Sequence, residues 1–402
     1  MNPRLDLLQP YPFARLRELL AGLEAPAGVK PVPLYIGEPR HPAPELVREA
    51  LAANFGGLSS YPATQGSADL RGAIARWLER RYDLPAIDVE REVLPVNGSR
   101  EALFSFAQAI IDPRKPAPLI ASPNPFYQIY EGAALLAGAR PVFLAQTPAN
   151  GFSLDLASLS DEQWARVELF YVCSPANPTG RVLTLDEWRA LFELADRHDF
   201  VIASDECYSE IYFDEARPPL GALEAAHKLG RPGWKNLVVF SSLSKRSNVP
   251  GMRSGFVAGD AELLSRFLLY RTYHGCAMSP MIQAASIAAW RDEVHVRENR
   301  KLYRDKFAAV LPILEPWLGI AMPDAGFYFW AATPVDDLAF TRELLAATGV
   351  TVLPGQFLSR EVGGSNPGQG FVRIALVAEL AECVDAARRI AGFVEHRYGA
   401  RA

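Results

Sequence analysis

A lysine just past a buried strand is the residue in this sequence best suited to chemistry. The apolar run at 237–241 leads straight into Ser-Leu-Ser-Lys, and from Ser241 to Gly255 the chain reads SSLSKRSNVPGMRSG. An amine placed there can be withdrawn from water, which lowers its pKa and makes it nucleophilic toward an aldehyde. Taken singly, Lys245 reads as a solvated loop lysine, because lysine is nearly always exposed. Ser242 and Arg253 shift that balance, since together they could hold a phosphate beside the amine. The combination describes a phosphorylated aldehyde, held by its phosphate and linked through its carbonyl.

Other polar residues follow apolar runs in the same way. The run at 201–204 ends in Asp205, Glu206, Cys207 and Tyr208. An acid there is commonly a helix cap, but beside a pyridine ring it would keep the nitrogen protonated and the ring able to accept a carbanion's electrons. Tyr208, and Asn177 in the segment SPANPTG after the run at 169–173, could bond a ring hydroxyl; the plainer reading of SPANPTG is an Asn-Pro turn. Gly98, Ser99 and Arg100 join a strand to a helix start, whose free N–H groups and dipole attract anions. Arg373, in FVRIAL, points opposite to Val372 and Ile374, and an internal guanidinium needs a carboxylate; a structural ion pair serves as well as a substrate clamp. There is no G-x-G-x-x-G and no Walker sequence, which counts against dinucleotide or nucleoside triphosphate use.

These residues need a sheet to bring them together. Apolar runs at 93–96, 119–122, 141–144, 169–173, 201–204, 237–241 and 255–258 alternate with helical patterns such as 100–110, 127–137 and 185–198. Alternation of this kind predicts an α/β fold with a mainly parallel sheet flanked by helices, and ligands at the C-terminal ends of the strands. Beyond Ser279 come long helices over 280–317, strands near 326–331, 350–353 and 370–375, and a terminal helix at 379–396. The Gly-rich stretch 363–370 reads as a hairpin loop. The first forty residues are proline-rich, with one short helix near 13–22, and suit an arm lying on another surface. The expected division is an arm and part of a small domain at 1–44, a large domain at 45–285 and a smaller αβ domain at 286–402.

Composition narrows the classes of function. The chain has 402 residues, 49% of them hydrophobic, and 41 basic against 46 acidic side chains leave a net charge of −5. No lysine- or arginine-rich block offers the concentrated positive surface that a nucleic-acid binder needs. No apolar run approaches a membrane span, so neither membrane nor nucleic-acid partners are expected. The four cysteines, Cys173, Cys207, Cys276 and Cys383, form no C-x-x-C pair and suit a reducing cytoplasm. Among six histidines the closest metal candidate, His295 with Glu298, reads as an exposed helical pair, so no metal is expected.

From IGEP at Ile36, through YPATQG at Tyr61, SPANPTG, DECY at Asp205 and the SLSK…GMRSG block, to FVRIA, the ordered motifs resemble the class I/II aminotransferases of fold type I, which depend on pyridoxal 5′-phosphate. The resemblance spans nearly the whole chain. It implies that Lys245 anchors the cofactor and shuttles the proton, that Asp205 pairs the ring nitrogen, and that Asn177 and Tyr208 bond the ring hydroxyl. It also implies that Gly98, Ser99, Arg100, Ser242 and Arg253 hold the phosphate, with Tyr61 reaching in from the other subunit of a homodimer. Tyr127 matches the aromatic stacked on the ring, Arg373 the group holding the substrate α-carboxylate, and Gly37 a residue lining the same pocket.

Within the family, SLSKRSNVPGMRSGFVAGD is similar to the succinyldiaminopimelate aminotransferases of bacterial lysine biosynthesis. That similarity implies reversible transfer of the amino group of glutamate to N-succinyl-2-amino-6-oxopimelate. No arginine for a second carboxylate is identifiable by motif; Arg40, Arg246 and Arg271 stand as candidates. The rivals are an aspartate or aromatic aminotransferase and a β-eliminating C–S lyase. A non-catalytic regulator on the same scaffold is disfavoured, because residues 1–45 are too short and proline-broken for a helix-turn-helix.

Overall fold

The computed structural model describes residues 1–399. Seven strands form one sheet in the order Val93–Val96, Gly255–Gly259, Leu237–Ser242, Val201–Asp205, Val167–Cys173, Leu119–Asn124, Arg140–Ala145. Each lies where an apolar run predicts it, and the sheet is mainly parallel. Gly255–Gly259 is the exception, running antiparallel to both of its neighbours. Strands covered on both faces have no reason to alternate, and Val167–Cys173 is buried at every residue.

Two apolar layers cover the sheet. One face packs against helices Ala68–Tyr82, Leu185–His198 and Pro280–Arg291, where Trp77 and Trp290 meet with ring centroids 4.8 Å apart. The other packs against Ser99–Ile110, Ile129–Ala137 and Ala261–His274. Local sequence fixes the helix ends. Thr184 accepts from the Glu187 N–H while the Glu187 carboxylate takes the Thr184 N–H, and the same helix stops at Asp199 in the left-handed conformation.

A smaller antiparallel sheet, ordered Leu353–Pro354, Phe371–Ala375, Tyr328–Ala332, carries helices Val294–Leu314, Asp337–Thr348 and Leu380–Tyr398. Val32–Pro33 pairs in parallel with Val350–Thr351, so the start of the chain joins this layer. The arm ahead of it lies on its own chain: Leu8 faces Gly132, and helix Pro12–Leu19 follows.

The span 280–317 forms two helices, as expected, parted where buried Arg246 takes the Ala289 and Asp292 carbonyls and Asp292 caps the start of the next helix through the His295 N–H. Two expectations are corrected, for 350–353 and for His295. Segment 350–353 is shared between two sheets. The stretch 363–370 carries the expected hairpin turn, Val362 and Ser365 exchanging backbone hydrogen bonds across Gly363 and Gly364, within a longer connection from 355 that is tied at both ends to the buried Asp337 carboxylate by Gln356 and Gly370. His295 is buried and bonds Asp292 and Ser247 rather than pairing in solvent with Glu298. All four cysteines are free. Among the described residues no helix is long and apolar enough to cross a membrane.

Candidate active site

Strands Val167–Cys173, Val201–Asp205 and Leu237–Ser242 end at a cavity of about 470 Å³. The small sheet adds Tyr328 and Arg373 to its wall, and the arm adds Tyr11 and Phe13. Lys245 sits in the single helical turn Leu243–Arg246, and its Nζ donates to the Gly37 carbonyl at 2.6 Å. Burial brings its amine down to about 8; Cys207 opposes that shift while Arg373 adds to it.

Asp205, the last residue of its strand, is buried. Its Oδ2 accepts from the Tyr130 hydroxyl at 2.8 Å and its Oδ1 from the Cys207 N–H at 3.3 Å. Burial pushes its carboxyl up, and those two donors hold it back. Such a carboxylate gains from any cation brought beside it.

Arg373 is 4% exposed and lies with Lys245 in the cavity wall. One terminal nitrogen donates to Asn177 Oδ1 and the other to the Tyr35 carbonyl, both at 2.9 Å, and its Nε has no partner. Its flat face lies 4.4 Å from the Tyr328 ring centroid. None of these contacts is a carboxylate, so the structural ion pair that competed with a substrate clamp is absent among the described residues. Because Arg373 occupies Asn177 Oδ1, the amide nitrogen of Asn177 is left for a ligand. Val372 and Ile374, its neighbours in the strand, turn into the small apolar core.

An anion cradle lies along the same wall. Helix Ser99–Ile110 begins at Gly98, with φ of 85° and no side-chain cap, so its first N–H groups are free. A Cβ on Gly98 would overlap the Arg253 guanidinium, which shows how closely the arginine covers that turn. Ser242 and Ser99 line the cavity here, and Cys207 Sγ donates to Ser99 Oγ at 3.0 Å. Arg100 turns outward, donating from Nε to the Tyr127 hydroxyl at 2.6 Å.

The cavity thus gathers Gly37, Ser99, Arg100, Tyr127, Asn177, Asp205, Tyr208, Ser242, Lys245, Arg253 and Arg373, with Gly98 directly beneath Arg253. Tyr61 is fully exposed and outside it. The three candidates for a distal carboxylate also lie elsewhere: Arg246 is paired with Glu293, Arg271 with Glu101 and Arg40 with Glu382. Tyr130, Tyr328 and Glu38 were not legible as site residues. Tyr130 lies on helix Ile129–Ala137, and its ring meets that of Tyr127 edge to face with centroids 5.8 Å apart.

Comparison with known proteins bears on what such a cavity does. Residues 29–390 match the family described as aminotransferase class I and II. The chain is 34% identical over 394 residues to an LL-diaminopimelate aminotransferase of Maridesulfovibrio salexigens, spanning 96% of this chain and 97% of that one. An aminotransferase structure from Neisseria meningitidis superposes with a TM-score of 0.95 at 56% identity, covering 98% of this chain and 99% of the other. A probable N-succinyldiaminopimelate aminotransferase from Thermus thermophilus gives 0.84 at 28% identity, covering 95% and 100%. The family match runs through both sheets, and the chain belongs to the class I and II aminotransferases.

Proposed function

We propose that this aminotransferase uses pyridoxal 5′-phosphate to move the amino group of glutamate, reversibly, to N-succinyl-2-amino-6-oxopimelate, a step of lysine biosynthesis in the cytoplasm. The residues present fit that cofactor. The uncapped helix start under Arg253 suits its phosphate, the buried Asp205 its cationic ring nitrogen, and the amine of Lys245 its carbonyl. When bound, the cofactor supplies a carbonyl that condenses with amines and a ring that draws electrons from the substrate's α-carbon.

The chain's own residues would then act as follows. Lys245 would hold the carbonyl and, as a free amine, would take the proton from the substrate Cα. An amine near 8 is partly uncharged at neutral pH, as both tasks require. Asp205 keeps the ring nitrogen protonated, with Tyr130 aiming its carboxylate. Tyr208 and the Asn177 amide hold the ring hydroxyl, and Tyr127 stacks on the ring. Ser242, Ser99 and Arg253 hold the phosphate, with Arg100 closing that side. Arg373 clamps the α-carboxylate, and Gly37 leaves room beside it. The carrying observation is this last guanidinium, buried beside Lys245 without a carboxylate of its own.

The succinylated substrate is supported by the motif block around Lys245 and by the name of the Thermus relative. Unacylated LL-diaminopimelate is the second reading, favoured by the exposed Glu38 carboxylate in the cavity wall, which would pair with a free distal ammonium. The test is a half-reaction screen that follows loss of the lysine-bound cofactor's absorbance with glutamate, N-succinyl-LL-diaminopimelate, LL-diaminopimelate, aspartate and phenylalanine. Fastest turnover with glutamate and the succinylated compound is expected; preference for LL-diaminopimelate would select the second reading. Pyruvate and ammonia from cystathionine without an oxo-acid acceptor would replace both with a lyase.

A further inference from the structure

Behind the cavity, three buried residues that do not line it form a directional line of hydrogen bonds ending on the backbone of Lys245. His41, Asn299 and Lys306 are 7%, 3% and 2% exposed. Lys306 Nζ lies 2.6 Å from His41 Nε2, and His41 Nδ1 lies 2.9 Å from Asn299 Oδ1. Asn299 Nδ2 donates to the backbone carbonyls of Lys245 at 3.2 Å and Arg246 at 3.4 Å. An ammonium only donates, so Nε2 of a neutral His41 must accept, which leaves its single N–H on Nδ1 and aims it at Asn299. The Asn248 amide donates to the same Asn299 oxygen at 2.9 Å, so every donor and acceptor along the line is consistent.

Among the described residues, Lys306 reaches no carboxylate. Its other partners are the Val377 carbonyl at 3.4 Å and the Tyr303 ring, with Glu379 and Cys383 the nearby titratable groups. A buried cation costs stability unless it is well bonded, so a line that starts with one is a costly feature to keep. His41 also closes the segment that begins at Gly37, the residue whose carbonyl holds Lys245 Nζ at 2.6 Å. Asn299, Tyr303 and Lys306 share one face of helix Val294–Leu314, so the small layer grips the lysine through this line.

We propose that Lys306, His41 and Asn299 are positioning residues that set Lys245 from two sides, through its backbone carbonyl and, by way of segment 37–41, through the Gly37 carbonyl on its amine. The inference rests on Lys245 being the reactive amine. Its test is competitive acetylation of Lys245 against pH in the full-length protein stripped of cofactor, comparing wild type with Asn299→Leu. The groups around the amine, namely Asp205, Cys207, Arg373, Arg100 and Glu38, are untouched by that change. Losing the Gly37 hydrogen bond removes support for the charged amine, so the midpoint should fall by about half a pH unit or more. In the reloaded enzyme kcat should fall about tenfold with KM for the amino donor unchanged, because Arg373 is not involved. A wild-type midpoint and kcat with only a lowered Tm would overturn the proposal. If Asn299→Leu fails to fold, His41→Leu cuts the same line and is read the same way. Failure of pyridoxal 5′-phosphate to protect wild-type Lys245 from acetylation would instead overturn the reading of the site itself.

Discussion

Tyr130 shows how much a single hydroxyl contributes to this site. It donates to Asp205 Oδ2, and a hydrogen bond to a charged group is worth about 1.5–3 kcal/mol. Tyr130→Phe should therefore let burial push Asp205 further up, draw the shared proton from the ring nitrogen toward the carboxylate, and lower kcat about tenfold with KM little changed. Steady-state kinetics beside a melting curve check this; an unchanged kcat would detach Tyr130 from the chemistry. Gly37 is as sharply constrained. A Cβ there would lie 2.0 Å from the Tyr328 hydroxyl, which itself bonds Tyr208 at 2.9 Å. Gly37→Ala should abolish most activity, and removal of the obstructing hydroxyl by Tyr328→Phe in the same chain should recover part of it. The Lys245 amine sets the pH dependence. With its midpoint near 8, the rate of cofactor capture by stripped protein should rise with pH through that value, as the uncharged fraction grows, and level off above it. Lys245, Asp205 and Arg373 were readable because each directly follows or interrupts a buried apolar run. Tyr328 and Tyr130 were not, since an aromatic inside such a run looks the same whether it fills a core or lines a cavity.

Elements carry the next set of consequences. The connection 355–370 puts Leu358 against the cavity and is held at both ends by one carboxylate, Asp337. Asp337→Ala would orphan two backbone N–H groups, costing about 2–4 kcal/mol, and should lower Tm while raising KM through the freed loop. A lowered Tm with unaltered KM would confine Asp337 to stability. Strand positions were legible because a parallel strand buried on both faces leaves a continuous apolar run, as at 167–173. The place of the break between Pro280–Arg291 and Val294–Leu314 was not, because it depends on Arg246 capping carbonyls more than forty residues away. Connections of that kind have no local signature. The same arginine, read from sequence as a possible substrate contact, is used up in this structural task.

At the scale of the whole molecule, large apolar side chains remain at the surface. Phe55, Leu58, Tyr61 and Tyr273 are 56%, 72%, 103% and 88% exposed, and exposed apolar groups that gather in one patch mark an interface. A homodimer covering them, with the partner's Tyr61 reaching the phosphate, is a proposal that would account for a tyrosine outside the cavity of its own chain. Tyr61→Ala should then weaken cofactor affinity, and mixing it with Lys245→Ala protein should restore tight binding at one site in each mixed dimer, about a quarter of all sites for a random mixture. Cofactor titration of the mixture checks this; no recovery would place Tyr61 in its own subunit's affairs.

The one reversed strand has a consequence for distance. Because Gly255–Gly259 runs against Leu237–Ser242, Ser242 and Gly255 are register partners, and residues 243–254 leave and return at the same edge of the sheet. A parallel successor would have delivered Arg253 to the opposite edge, a full strand length from Lys245. The loop therefore works as a calliper, one jaw the amine and the other the guanidinium, its gap set by a dozen residues between two fixed strands. Adding or deleting a residue in this loop should change the length of phosphorylated aldehyde the protein can grasp.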